Sequence, residues 1–226
     1  VDNEERLVGI VTVDDAMDVI QEEATEDIEI MAAMTPSEKP YLRTSVWDIF
    51  LHRIPWLLLL MISATFTGII ITNFETALAA QVALVGFIPM LMDTGGNSGS
   101  QASVTVIRGL SLQEISFRDL PRVLWKEVRV SVLCGVVLAA ACFAKIMLVD
   151  RLLMGNADIT LMVALTVCLT LCLTVLAAKC IGCVLPMLAQ RAGFDPAVMA
   201  NPAITTVVDA LSLLAYFTVA TALLGL

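Results

Sequence analysis

Charged residues are scarce in this sequence of 226 residues, where Asp, Glu, Lys and Arg together make up 15% and hydrophobic residues 58%. With a mean hydropathy of +0.88, this composition excludes an ordinary soluble domain and predicts a polytopic membrane protein. Histidine is nearly absent, and His52, the single one, lies between Trp47 and Trp56 in a stretch suited to the membrane interface. The six cysteines lie in apolar runs. Cys180 and Cys183 form a C-x-x-C with no histidine nearby, which favours helix packing over zinc or redox chemistry.

Basic residues are almost missing from the start of the chain, where Arg6 is the only one among the many acids of residues 2–38. This imbalance, within a net charge of −9, excludes nucleic acid and an anionic lipid surface as partners of the segment. It predicts a solvated, cation-attracting surface instead. An initiator Met and a signal peptide with a basic start are also lacking, so we expect the chain to be part of a longer protein.

The first fifty residues have the pattern of soluble α/β structure. Residues 7–13 are rich in β-branched side chains, which predicts a strand. An aspartate cap at Asp14 and apolar residues at helical spacing predict a helix that runs to about Met34. Pro36 and Pro40 then interrupt the pattern.

The remainder predicts an all-α membrane protein with five transmembrane helices. These helices are expected at about residues 54–72, 76–107, 125–149, 159–188 and 196–226. The connections on one side carry six basic residues and those on the other side carry one. The positive-inside rule then places the N-terminus in the cytoplasm and the C-terminus outside, in a cell (inner) membrane. Lys179 lies ~30 Å into the fourth helix, and we expect it to snorkel to the cytoplasmic interface.

Two polar stripes interrupt the apolar helices. Asp93, Asn97 and Gln101 are spaced four residues apart in the second helix. Asn201, Thr205 and Asp209 have the same spacing in the fifth. Residues four apart share one face of a helix, and an ionisable group inside the membrane indicates a functional site.

Carboxylates, amides and backbone carbonyls without thiol or imidazole suit hard cations, Mg²⁺ above all, with Ca²⁺ or Mn²⁺ as further candidates. A single Asp209 per chain is little charge for a divalent ion, so two copies across a two-fold axis, a homodimer in the lipid bilayer, are expected. A divalent cation gains ~4.6 kcal/mol per 100 mV on moving inward, so no coupling ion is required. This favours a channel-like mechanism.

Three other interpretations remain. Asp209 could relay protons in a proton-coupled divalent-cation carrier. Asp93 and Asp209 could form the dyad of an intramembrane aspartyl protease, although the G-x-G-D pattern expected of such enzymes is absent. The polar residues could also act only as interhelical contacts, and Gly96-x-x-x-Ser100 is typical of close helix packing.

Two longer motifs surround these residues: PMLMDTGGNSGSQ at residues 89–101, with ASVTVIRG after it, and NPAITTVVD at residues 201–209. Both closely resemble motifs of the MgtE magnesium channel family. The resemblance implies a non-enzymatic homodimer with a pore between the second and fifth helices. Hydrated Mg²⁺ would be held by Asp209, with the Thr205 carbonyl taking part. The implied pore residues are Asp209, Thr205, Asn201, Asn97 and Asp93, and Mn²⁺, Co²⁺ or Ca²⁺ are further ions to consider.

The resemblance extends to the start of the chain. Residues 1–21 are similar to the end of a CBS domain, residues 22–50 to a connecting plug helix, and residues 51–226 to the pore domain. Regulatory Mg²⁺ on the cytosolic side would be bound by Asp15, Asp18, Glu23, Glu26 and Asp27. The family's preceding domains are not in this sequence, so we expect its permeation to be poorly inhibited by internal Mg²⁺.

Overall fold

The computed structural model describes residues 9–37 and 40–225, apart from the side chain of Asn201. This part of the chain is almost entirely helical and contains no strand. The strand expected at residues 7–13 is therefore wrong over residues 9–13, which are irregular up to the start of a helix at Val13. A single strand has no neighbouring strand here to satisfy its backbone groups. Leu7 and Val8 lie outside the described residues.

Helix α1 spans Val13–Met31. Thr12 caps it rather than Asp14. The Thr12 hydroxyl accepts a hydrogen bond from the Asp15 amide, and the Asp15 carboxylate accepts one from the Thr12 amide at 2.8 Å. This capping box satisfies two backbone donors at the helix start. The predicted connecting helix at 22–50 is not continuous, because α1 ends at Met31 and α2 begins at Val46.

Helix α2 spans Val46–Asn73 and starts with a Ser45 cap. The second transmembrane helix, expected as one segment at 76–107, is broken at Gln81. It consists of α3 (Glu75–Ala80), a 3₁₀ turn (Val82–Phe87) and α4 (Ile88–Ser111). Pro89 lies in the first turn of α4, where its missing N–H costs no helical hydrogen bond.

Three more helices complete the chain. Helix α5 spans Leu120–Lys145 and continues as a π-helical segment, Ile146–Leu153. Helix α6 spans Leu161–Arg191. After a 3₁₀ turn at Pro196–Met199, helix α7 spans Asn201–Leu224. The chain restarts its helix at Asn201 and Pro202 as expected, with Ala200 rather than Asn201 at the cap.

Four helical segments of the described chain are long and apolar enough to cross a membrane: Val46–Asn73, Phe117–Leu153, Leu161–Arg191 and Pro196–Leu224. Helix α4 is not among them. Its Asp, Gly, Asn, Ser and Gln residues make it too polar, so the predicted count of five is not confirmed by length and composition.

Helix α6 lies at the centre of the fold and packs against α4, α5 and α7. Helix α4 also packs along α7, while α2 contacts α7 and buries none of its own residues. The largest core cluster joins α4, α5, α6 and α7 at one end of the helices. There the buried Tyr216 hydroxyl donates a 3.0 Å hydrogen bond to the carbonyl of Leu84 and fixes the broken connection before α4.

Candidate cation site and its surroundings

Glycines bring α4 into close contact with its two neighbours. A methyl group on Gly95 would lie 2.6 Å from Cγ2 of Thr174 on α6 and 3.0 Å from the Ser212 hydroxyl on α7. A methyl group on Gly96 would lie 3.0 Å from Cγ2 of Thr205. These distances are shorter than van der Waals contact, so a larger residue at either position would force the neighbouring side chains to shift. The sequence prediction of close packing is confirmed for Gly96, whose neighbour is α7 of the same chain.

The polar stripe of α4 faces away from this contact. Asp93, Asn97 and Gln101 are exposed, on the helix face opposite the buried glycines. Together with Thr94 and Ser98 they line a groove of about 570 Å³ between α4 and α5. The far wall of the groove consists of Leu133, Cys134, Val137 and Leu138. The stripe predicted from spacing therefore forms one continuous polar wall.

The α7 stripe lies beside α4. Asp209 and Thr205 are both half-buried, and the carboxylates of Asp93 and Asp209 are close enough for their charges to interact. The Thr205 hydroxyl donates to the carbonyl of Pro202 at 3.0 Å, which leaves its oxygen lone pairs available as acceptors. The side chain of Asn201 lies outside what the structure describes.

Lys179 does not snorkel to an interface. It is 4% exposed, on α6, and its ammonium lies 3.9 Å from a carboxylate oxygen of Glu127 on α5. The reason is local geometry: α6 is enclosed by α4, α5 and α7 at this depth, and Glu127 offers a charge partner. Lys179 also lines the groove that holds Asp93, Asn97 and Gln101. Lys145, by contrast, is half exposed and pairs with Asp150 at 2.7 Å.

Within residues 9–37 and 40–225, no three side chains of His, Cys, Asp or Glu come together as ligands for a metal ion. Asp93 and Asp209 are thus two carboxylates without a third, flanked by amides and hydroxyls. This arrangement suits an ion that keeps most of its water, because few direct protein ligands are available to replace it.

The predicted regulatory acids lie on α1, and only some of them meet. Asp18, Glu23 and Glu26 line a groove of about 500 Å³ together with Glu22 and Glu29. Asp15 does not line this groove. Its carboxylate accepts hydrogen bonds from the hydroxyl and amide of Thr12, which lower the Asp15 pKa and give the residue a capping role.

Asp27 occupies a different environment, beside the turn that leads into α7. Partial burial raises its pKa, and the negative charges of Asp195 and Glu23 raise it further. Asp195 also caps that turn by accepting a 2.8 Å hydrogen bond from the Ala197 amide. The end of α1 and the start of the α7 segment therefore carry like charges that repel each other.

Sequence reasoning missed two of these residues. Glu127 is an acid in the first half of α5, and pairing it with Lys179 required the depth at which α5 and α6 meet. Asp195 lies in the short connection between α6 and the 3₁₀ turn before α7, which the sequence interpretation did not consider. A search for acids at the starts of helices could have found it, since the segment D-P is typical of a helix start.

Comparison with known proteins supports the resemblance of the two motifs. The family described as "MgtE: Divalent cation transporter" matches residues 88–219, which is more than half of the chain. The match includes α4 and the whole polar stripe, as well as Thr205 and Asp209 on α7.

Three curated relatives cover nearly the whole chain. A protein of Thermus thermophilus named magnesium transporter MgtE is 38% identical over 225 residues, 99% of this chain and 48% of its own length. Proteins of the same name from Bacillus subtilis and Enterococcus faecalis are 39% and 32% identical, over 96% and 97% of this chain and 46% of their own lengths. The chain thus spans about half the length of these relatives, all named as transporters and none as an enzyme. It is a multi-pass membrane protein that belongs to the MgtE family of divalent cation transporters.

Proposed function

We propose that this chain conducts Mg²⁺ across a membrane along the polar wall of α4 and the Asp209 face of α7. The observation that carries the proposal is the close contact of α4 and α7, in which Gly95 and Gly96 lie against Val208 and Thr205. This contact puts the polar stripe of α4 and Asp209 of α7 on adjacent helices, where the charge of Asp93 acts on Asp209. Two carboxylates within a largely apolar set of helices attract a cation and repel anions. The names of the relatives, magnesium transporters, point to the same ion.

In this proposal α4 is a fifth membrane-spanning helix despite its polarity. Its 24 residues are enough to cross ~30 Å of hydrocarbon at ~1.5 Å per residue. A helix with a polar face is stable in a bilayer when that face meets protein or water rather than lipid. The exposed stripe of Asp93, Asn97 and Gln101 then requires cover, which the second chain of a homodimer would supply.

A homodimer would also supply more negative charge for a divalent ion than one chain does. One chain offers the carboxylates of Asp93 and Asp209 to a divalent ion, and among the described residues no third His, Cys, Asp or Glu joins them. Two chains related by a two-fold axis would present two copies of Asp209 to one path. In this arrangement the hydrated ion is held by carboxylates through its water shell, with the Thr205 carbonyl and Asn97 amide as further acceptors. Asn201, at the start of α7, would line the cytoplasmic end.

Direction follows from charge. With the basic connections and the N-terminus in the cytoplasm, a negative interior draws the ion inward, worth ~4.6 kcal/mol per 100 mV for a divalent cation. No coupling ion is then needed. A proton-coupled carrier is the second candidate, because an ionisable group among apolar helices such as Asp209 can relay protons. Uptake that requires a pH gradient would favour the carrier, whereas uptake driven by voltage alone favours the channel.

Regulation is assigned to α1. Mg²⁺ would bind the acids of the α1 groove and relieve the repulsion between Asp27 and Asp195, drawing α1 toward the start of α7. The residues proposed to bind it are Asp15, Asp18, Glu23, Glu26 and Asp27. Asp15 has the weakest case because its carboxylate is already used by Thr12. Residues 1–21, which we assign to the end of a CBS domain, include the first part of α1.

The function is tested by Mg²⁺-dependent growth of a cell that lacks its own Mg²⁺ uptake. Cells carrying Asp209→Asn should need more external Mg²⁺ than cells carrying the unaltered protein. Asp158→Asn is the matched control, since it also removes a carboxylate but lies exposed in the connection before α6. Equal growth of the Asp209 variant and the control at limiting Mg²⁺ would refute the assignment.

A further inference from the structure

Lys179 is an unusual residue beside a cation path. It is the one lysine of α6, is 4% exposed, and contributes to the same groove as Asp93, Asn97 and Gln101. A bare ammonium there would repel Mg²⁺ from the polar wall. Desolvating a charged lysine is also costly unless a partner neutralises it.

Glu127 is the partner that the fold supplies. Its carboxylate approaches the Lys179 ammonium from α5, and Glu127 itself does not line the groove. At 3.9 Å the two groups form an ion pair without a direct hydrogen bond. Both are largely buried, with side chains 6% and 15% exposed. Low exposure keeps their charges poorly screened by salt.

We propose that Glu127 cancels the charge of Lys179 and thereby sets how readily a divalent cation occupies the α4–α5 groove. The positive member of the pair is a residue that lines the groove, and the negative member is one that does not. This inference rests on the proposed Mg²⁺ path, and it gives Lys179 and Glu127 a role beyond the packing of α5 against α6.

The sign of each effect follows from this arrangement. Glu127→Gln leaves the ammonium uncompensated, and a single positive charge about 10 Å from a divalent ion, at an effective dielectric constant of about 40 to 80, lowers its occupancy roughly 4- to 16-fold. Lys179→Met removes the positive end, so occupancy stays the same or increases. The double variant restores neutrality and should behave as the unaltered protein.

The experiment is Mg²⁺ uptake into liposomes containing the full-length protein, measured over a range of external Mg²⁺ to give the half-saturating concentration. We expect Glu127→Gln to raise that concentration several-fold, Lys179→Met not to raise it, and the double variant to return it to the original value. The thermal midpoint in detergent is recorded for each variant. A merely structural pair would instead make both single variants fail in parallel with their loss of stability.

Three outcomes would overturn the inference. They are an unchanged half-saturating Mg²⁺ concentration in Glu127→Gln, a higher half-saturating concentration in Lys179→Met, and a half-saturating concentration in the double variant that does not return to the original value. If one single variant does not fold, the double variant and the other single variant still test the inference, because each has its own outcome that would overturn it. Asp209→Asn is measured alongside. If it leaves uptake intact, the proposed path is wrong, whereas loss of uptake there with no effect of Glu127→Gln rejects only the role of the pair.

Discussion

Replacing Gly182 by alanine should separate two helices that the site needs in contact. A methyl group on Gly182 of α6 would overlap the carbonyl oxygen of Gly99 on α4 and would lie 3.2 Å from Cβ of Ala102. The overlapping atom belongs to the backbone, so no side-chain rotation can relieve it. The two helices must move apart, and the shift would carry the polar wall of α4 with it.

The size of the effect follows from the packing. Overfilling a tight contact costs about 1–3 kcal/mol, and a clash with backbone belongs at the upper end of that range. For a chain of this size, ~3 kcal/mol corresponds to a decrease of roughly 6–12 °C in the thermal midpoint. Mg²⁺ uptake should fall as well, because α4 would no longer hold Asp93 near Asp209.

Gly135→Ala is the matched control. Gly135 is buried on α5 against α6, but a methyl group there would lie 3.5 Å or more from Cys172, an ordinary contact. The assay is thermal unfolding of the purified protein in detergent, followed by uptake into liposomes. A Gly182 variant with the same midpoint and the same uptake as the Gly135 variant would refute the role given to close packing.

Three further predictions concern single contacts. Tyr216→Phe removes the buried hydrogen bond to the connection before α4 and should cost about 1–2 kcal/mol, read as a lower thermal midpoint; an unchanged midpoint would contradict it. Thr12→Ala removes the cap of α1 and should cost about 1 kcal/mol, seen as roughly fivefold faster amide exchange in the first turn of α1 but not in its last. The Asp27 pKa is raised above the ordinary aspartate value of ~3.9 by burial and by the charges of Asp195 and Glu23. Protonation of Asp27 removes its repulsion with Asp195, so contact of α1 with the α7 segment should strengthen as the pH falls through this raised pKa. Asp27→Asn should abolish that pH dependence, measured as protease protection of residues 32–45; a variant that keeps it would show that another group titrates.

The positions of the helices in sequence were largely predictable because long apolar runs leave few alternatives. Two of the predicted elements were wrong, each for a local reason. The second predicted transmembrane helix is broken at Gln81 because a 3₁₀ turn and the proline at the start of α4 interrupt the run. Over the described residues 9–13 the expected strand is absent, because β-branched residues favour a strand only when another strand lies beside them.

The polar stripes were predictable because a four-residue spacing on a helix fixes one face. Their surroundings were not. Whether Lys179 reaches water or a carboxylate depends on which helix covers α6, and that is a matter of tertiary packing. The same holds for the meeting of Asp27 and Asp195, which lie far apart in sequence and come together only because α1 folds against the start of the α7 segment.

The most direct test of the central claim is Mg²⁺ influx into liposomes at a fixed inside-negative voltage and equal pH on both sides, with Asp209→Asn and Asp158→Asn compared with the unaltered protein. The account predicts influx through the unaltered protein and the Asp158 variant, and a decrease of at least about tenfold, the equivalent of ~1.4 kcal/mol, through the Asp209 variant. Influx through Asp209→Asn equal to that of the unaltered protein would contradict it.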